Sequence, residues 1–162
     1  MTSDHRRLAH DLLRCCQRRG LKIATAESCT GGWVAKVMTD LPGSSAVFEC
    51  GFVTYSNEAK MTLLDVPQAT LSRWGAVSEQ TVVAMTAGVL VHSRADLAVA
   101  ISGIAGPGGG TPDKPVGTVW FAWQQRGHTA TAHCHHFHGN RDLVRHQAVT
   151  TALIGLLELA QG

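Results

Sequence analysis

Residues 97–102, Leu97-Ala98-Val99-Ala100-Ile101-Ser102, form an unbroken apolar run. A run this short and this apolar reads as a β-strand covered on both faces. Such a strand needs a helical layer on each side of its sheet, so this one segment predicts an α/β sandwich. The flanking patterns agree. Residues 4–19 place Leu8, Leu12, Leu13 and Cys16 at helical spacing, and Gly20 follows as a stop. Residues 21–26 read as a strand, and a helix is expected from 30 to 38, ended by Pro42-Gly43. Residues 47–55 are rich in β-formers but contain Gly51, which predicts strand, bulge or bend, strand. Short helices are expected at 57–64 and 67–74, and a longer one from a Ser78 cap to about 93. Residues 116–124 and 129–138 make a hairpin around Arg126-Gly127-His128, and Asn140 caps a last helix to about 160. The expected fold is α/β: a three-layer α/β/α sandwich with a mixed central sheet.

At 162 residues the chain is the size of one domain, spanning 1–162. A globule of this length buries roughly 70% of its unfolded surface and needs no staples. With 44% hydrophobic and 16% charged residues it is not a disordered chain. A net charge of +2 is too small to make nucleic acid the main partner. No apolar run reaches the ~18 residues of a membrane helix. Residues 1–7 run into an amphipathic helical pattern, so no secretory signal and a cytoplasmic location are expected. The five cysteines, Cys15, Cys16, Cys29, Cys50 and Cys134, are odd in number and without a regular frame, as reduced thiols would be.

Three segments are poorly explained by packing alone. In Glu27-Ser28-Cys29-Thr30-Gly31-Gly32 a strand turns into a helix, which exposes one side chain beside free N–H groups. That geometry suits a nucleophile whose substrate carbonyl becomes an oxyanion. Ser28 is the nucleophile this points to, with Cys29 as rival; the plainer reading makes Ser28 or Thr30 a helix cap. The second segment, residues 51–60, holds the only tyrosine, Tyr55, and one of four lysines, Lys60. Serine needs a base. Only about one lysine in 2,500 is neutral at pH 7, but burial lowers a lysine pKa by up to ~3–5 units. Lys60 is thus either a base for Ser28, relayed or held by Tyr55, or a solvated surface residue. The third segment, residues 102–112, follows the buried strand and is glycine-rich. It matches neither the Walker pattern nor G-x-G-x-x-G, and reads as a backbone-lined ligand loop with Ser102 at its mouth, or as a plain connection.

Two further features stay open on spacing. His133, Cys134, His135, His136 and His138 resemble a metal cluster, but a strand splits them between two faces. A metalloprotein built on them would lose activity to a chelator. Arg141 and Arg145 stand at i, i+4 near a helix amino terminus, where a basic pair needs an anionic partner. A ligand phosphate fits, and so does Asp142.

Taken together, Ala26-Glu27-Ser28-Cys29-Thr30-Gly31-Gly32, Gly51-Phe52-Val53-Thr54-Tyr55-Ser56-Asn57-Glu58-Ala59-Lys60, Gly75-Ala76-Val77-Ser78, Ser102-Gly103-Ile104-Ala105-Gly106-Pro107-Gly108-Gly109 and Lys114-Pro115-Val116-Gly117-Thr118-Val119 resemble the CinA carboxy-terminal domain family over about residues 5–160. The resemblance implies an amidase that hydrolyses the carboxamide of nicotinamide mononucleotide to nicotinic acid mononucleotide and ammonia. It implies Ser28 as nucleophile, Lys60 as base and Tyr55 in support, with no metal or other cofactor. Substrate contacts are expected from Thr30, Gly31, Gly32, Asn57, Ser102, Gly103, Ala105, Gly106, Arg141 and Arg145. The family's glycine-rich loop often has threonine where Ser102 stands, which keeps the hydroxyl. A homodimer is implied as well. The alternative is a nucleotide-binding or regulatory module of the same fold, which would keep the glycine loop and the arginines but have no use for Ser28 beside Lys60.

Overall fold

The computed structural model describes residues 2–162. Strands β1 (Ile23–Glu27), β2 (Phe48–Val53), β3 (Leu97–Gly103), β4 (Thr118–Gln125) and β5 (Thr131–His136) form one sheet in the order β2-β1-β3-β4-β5. β2 and β3 flank β1 in parallel, and β4 and β5 continue antiparallel. Helices α1 (Ser3–Arg19), α2 (Trp33–Thr39) and α6 (Arg141–Gln161) cover one face. Helices α3 (Asn57–Leu64), α4 (Gln68–Trp74) and α5 (Glu79–Val91) cover the other. The fold is an α/β sandwich of three layers around a mixed sheet, as the apolar run of β3 requires.

The strands that pack on both sides alternate by size rather than by polarity. Leu97, Val99 and Ile101, with Ile23, Val119, Phe121 and Trp123, face α1, α2 and α6. Ala98 and Ala100, with Ala24, Ala26 and Ala122, face α5. Small side chains let α5 lie close to the sheet, and its Val82, Met85 and Val89 are fully buried there. Each such side chain contributes roughly 1.5–3 kcal/mol of burial. Ser56, Ser78 and Asn140 cap α3, α5 and α6 by accepting from backbone N–H groups one turn on.

Three local expectations are corrected. The helix expected from residue 30 begins at Trp33, because Gly31 and Gly32 both adopt positive φ (61° and 93°) and occupy the turn. The strand expected at 21–26 runs Ile23–Glu27. Gly51 is not a bulge: β2 passes straight through it, and the register slips at Glu49, between the Ile23–Phe48 and Ala24–Cys50 pairs. Gly51 instead makes room for its neighbours, since a Cβ there would lie 3.0 Å from Thr25 Oγ1 and 3.2 Å from Ala35 Cβ.

Gly88 of α5 sets the seat of α3. A Cβ at Gly88 would fall 2.0 Å from the Leu64 carbonyl oxygen, so α3 and α5 touch backbone to backbone. Gly88→Ala should destabilise the fold by about 1–3 kcal/mol through overpacking, measured by denaturant unfolding. Because α3 also carries Lys60, the same variant should lose activity at temperatures where it is still folded.

Candidate active site

Three strands end on the same side of the sheet, and the site is built from the residues at and just beyond those ends. Ser28 follows β1, Thr54 follows β2, and Ser102 lies at the end of β3. The Ser28 N–H donates to the Ile101 carbonyl (3.0 Å) and the Thr54 N–H to the Glu27 carbonyl (2.9 Å), which ties the three ends together. This is the carboxyl edge of the parallel strands, where ligands of open α/β sheets bind. A cavity of about 220 Å³ opens here, lined by Ser28, Cys29, Tyr55, Lys60, Ala76, Val77, Ser102, Gly103, Ala105 and Arg141.

Lys60 is 1% exposed, a position lysine almost never takes without a partner. It sits in the second turn of α3, whose Ser56 cap starts the helix just beyond the end of β2. Its Nζ lies 3.2 Å from Ser28 Oγ and donates to the Thr54 carbonyl at 2.8 Å. Among the described residues no carboxylate lies within ion-pair distance of it. Burial without a counter-ion pulls its pKa below the usual lysine range. A neutral amine can take a proton from the hydroxyl beside it, which makes Ser28 and Lys60 a possible nucleophile and base. Among the described residues no histidine lines the cavity. The rival thiol is poorly suited: burial pushes Cys29 up to about 11, so it is protonated at neutral pH.

Other expected residues fall in different places. Tyr55 lines the cavity, but its hydroxyl accepts from Arg141 Nη2 at 3.0 Å; Lys60 is held by the Thr54 carbonyl. Arg141 also donates from Nη1 to the Gly106 carbonyl (2.9 Å) and reaches the cavity. Arg145 does not line it. Its Nε donates to the Cys29 carbonyl (3.0 Å) and its Nη2 to the Thr30 carbonyl (3.2 Å). Ser102, Gly103 and Ala105 line the cavity; Gly106 is linked to it only through its bond to Arg141, and Asn57 lies exposed at the start of α3. Thr30 is fully buried and its Oγ1 has no partner among the described residues.

The first turn of α2 is not open to a ligand, contrary to expectation. Glu27, fully buried, turns its carboxylate into the helix amino terminus. It accepts from the N–H groups of Gly32 (3.1 Å), Val34 (3.1 Å) and Ala35 (2.9 Å). Gly31 N–H donates to the Ser28 carbonyl at 3.0 Å. The N–H groups of Cys29 and Thr30 donate to no acceptor among the described residues. A carboxylate at a helix amino terminus was legible as a charge preference; that this one reaches back from the preceding strand was not. Ala76 and Val77, just before α5, also line the cavity; they stand in a motif that carries the resemblance but had no role assigned.

The histidine-rich strand stands apart. His133 and His135 line a separate groove of about 380 Å³ with Trp123 and residues of α6. His135 stacks on Phe137 at 5.5 Å. Among the described residues no three His, Cys, Asp or Glu are placed to hold a metal ion, and no helix is long and apolar enough to cross a membrane.

The unpaired buried amine should cost stability. Between its lowered pKa and ~10.4 the unfolded chain binds a proton that the folded chain does not, so the penalty is full at low pH and fades as pH rises. Lys60→Met should therefore be inactive yet raise Tm, by roughly 2–4 °C per kcal/mol relieved. The gain should be larger at pH 6 than at pH 9 in thermal unfolding.

Comparison with known proteins agrees with this architecture. The family model of the CinA C-terminal domain matches residues 5–160. The nicotinamide-nucleotide amidohydrolase PncC of Escherichia coli strain K12 is 54% identical over 151 residues, covering 93% of this chain and 92% of its own. The protein of the same name from Pseudomonas putida is 50% identical over 143 residues, covering 88% and 89%. The crystal structure of the competence/damage inducible protein CihA from Agrobacterium tumefaciens superposes with a TM-score of 0.95 at 44% identity, over 98% of this chain and 97% of that one. With the matched region running through every strand and through the whole cavity, the chain belongs to the CinA C-terminal domain family.

Proposed function

We propose that this chain is a nicotinamide-nucleotide amidase that converts nicotinamide mononucleotide to nicotinic acid mononucleotide and ammonia. The observation that carries the chemistry is the buried, unpaired Lys60 amine 3.2 Å from the Ser28 hydroxyl. A binding module has no use for such a pair, which costs stability and yields nothing unless it reacts. The substrate is suggested by the PncC relatives at 50% and 54% identity.

Each step uses a group already placed. Neutral Lys60 takes the proton of Ser28, and Oγ bonds to the carboxamide carbon. The unpaired Cys29 and Thr30 N–H groups are the donors for the oxyanion, in place of the Gly31 and Gly32 groups used elsewhere. As the C–N bond breaks, Lys60 returns its proton to the nitrogen, which leaves as ammonia. Water then attacks the acyl ester; Lys60 takes the water proton and passes it to Ser28 Oγ as the ester opens. A cavity of about 220 Å³ is below the roughly 300–1,000 Å³ of sites that enclose a drug-sized ligand. It accommodates the pyridine carboxamide and leaves the ribose phosphate at the mouth. Arg141 stands there, held by Tyr55 and the Gly106 carbonyl.

Ammonia release tests the proposal. Wild-type protein should release it from nicotinamide mononucleotide with kcat/KM at least ~100-fold above free nicotinamide, because binding energy from the remote phosphate orients the amide. Ser28→Ala should abolish release in a folded protein, whereas Cys29→Ala keeps most of it; the reverse pattern would make Cys29 the nucleophile. Since only the neutral amine accepts a proton, kcat/KM should rise with pH and level off below ~10.4, the ordinary lysine value. A limb at or above that value would remove Lys60 as the base.

A further inference from the structure

Two arginines one helical turn apart end in different surroundings. Arg141 reaches the cavity, while the Arg145 guanidinium lies over the Trp33 ring, 5.3 Å from its centroid, with its fork on the Cys29 and Thr30 carbonyls. Gly31 leaves space for it: even a Cβ at that position would stand 3.6 Å from Arg145 Nη2. Among the described residues the only carboxylate within ion-pair distance is Asp142, at 4.0 Å. These partners account for two edges and one face of the guanidinium.

A peptide group is planar, so the Cys29 carbonyl and the Thr30 N–H turn as one body. Holding the carbonyl at 3.0 Å fixes where the Thr30 N–H points. A charged donor on the carbonyl oxygen also polarises that peptide and makes its N–H a stronger donor. The next peptide joins the Thr30 carbonyl to the Gly31 N–H, which bonds back to the Ser28 carbonyl at 3.0 Å. On the far side of the turn the Glu27 carboxylate holds Gly32, Val34 and Ala35. The nucleophile's turn is thus gripped by an anion at its N–H groups and by a cation at its carbonyls.

We infer that Arg145 is a positioning residue for amide hydrolysis: it aims and strengthens the Thr30 N–H as an oxyanion donor and does not bind the substrate phosphate. This rests on the amidase reading above. Lysine offers a point charge in place of a fork and cannot hold both carbonyls.

The test compares Arg145→Lys and Arg145→Gln with wild type on nicotinamide mononucleotide and on its phosphate-free riboside, at a temperature where circular dichroism shows each variant folded. A positioning role predicts that kcat falls roughly 10- to 100-fold on both substrates, with KM within about 3-fold of wild type. That is less than the ~100- to 1,000-fold of deleting an oxyanion donor outright. Arg145→Lys, which keeps the charge, should lose less than Arg145→Gln. A purely structural role would lower Tm and leave kcat of the folded variants unchanged, which overturns the inference. A rise in KM confined to the phosphorylated substrate also overturns it and makes Arg145 the phosphate ligand. Should Arg145→Gln fail to fold, the lysine variant alone decides between these outcomes. Wild-type protein that releases ammonia from neither substrate would refute the amidase reading itself, and this inference with it.

Discussion

A lysine amine without a counter-ion, buried against a serine hydroxyl, is the contact on which the rest of the site depends. Charged, it would have to be desolvated with only a carbonyl and a hydroxyl for partners, which shifts it toward the neutral form. The architecture is arranged to enforce that burial. β1 and β2 run parallel, so their carboxyl ends lie side by side and the segments leading on from them meet. Ser28 comes from the first and α3 from the second. α3 is seated close on α5 where Leu64 meets Gly88, and Lys60 lies one turn earlier on the same helix. Each of these elements is ordinary by itself; their meeting changes the acid–base character of one side chain.

The second requirement is that the hydroxyl stay where the amine can reach it. The turn from Ser28 to Gly32 has no regular secondary structure and two glycines at positive φ, so it could flex. Burial of Ser28, Cys29 and Thr30 holds it, and charges add to that packing. Glu27 takes the helix donors, Arg145 takes the carbonyls, and the Ser28 N–H is tied to β3. Among the described residues the Cys29 and Thr30 N–H groups are left unpaired, and of these two residues Cys29 lines the cavity. The free donors of the turn are therefore defined by subtraction, as the N–H groups that neither the carboxylate, the sheet nor the turn's own carbonyls have taken.

Much of this was legible in the chain, and the reasons differ by residue. The leucine–alanine–valine–alanine–isoleucine alternation of β3 fixes a sheet with two covered faces, and it does so without any tertiary knowledge. The nearness of Ser28 and Lys60 was legible because a serine at a strand–helix turn, read as a nucleophile, asks for a base and few were on offer. The two arginines could not be told apart, since spacing along a helix places them on one face but says nothing about which tip reaches a cavity. Glu27 was hidden for a related reason. Its partners lie five to eight residues ahead, beyond two glycines whose positive φ values are set by the fold. Gly51 misled because a glycine in a strand signals a bulge as readily as a close neighbour, and only the position of Ala35 decides.

The mount of the buried amine is a short one. Eight residues of α3, capped by Ser56 and ended by Asp65 in the left-handed conformation, carry the amine. The helix buries only Lys60 and Leu64, and opening so small a segment costs less than global unfolding. Each opening would return Lys60 to water and part it from Ser28 until the helix redocks. The Ser28–Lys60 contact is thereby tied to the hydrogen-exchange protection of one small helix rather than to the melting of the whole molecule.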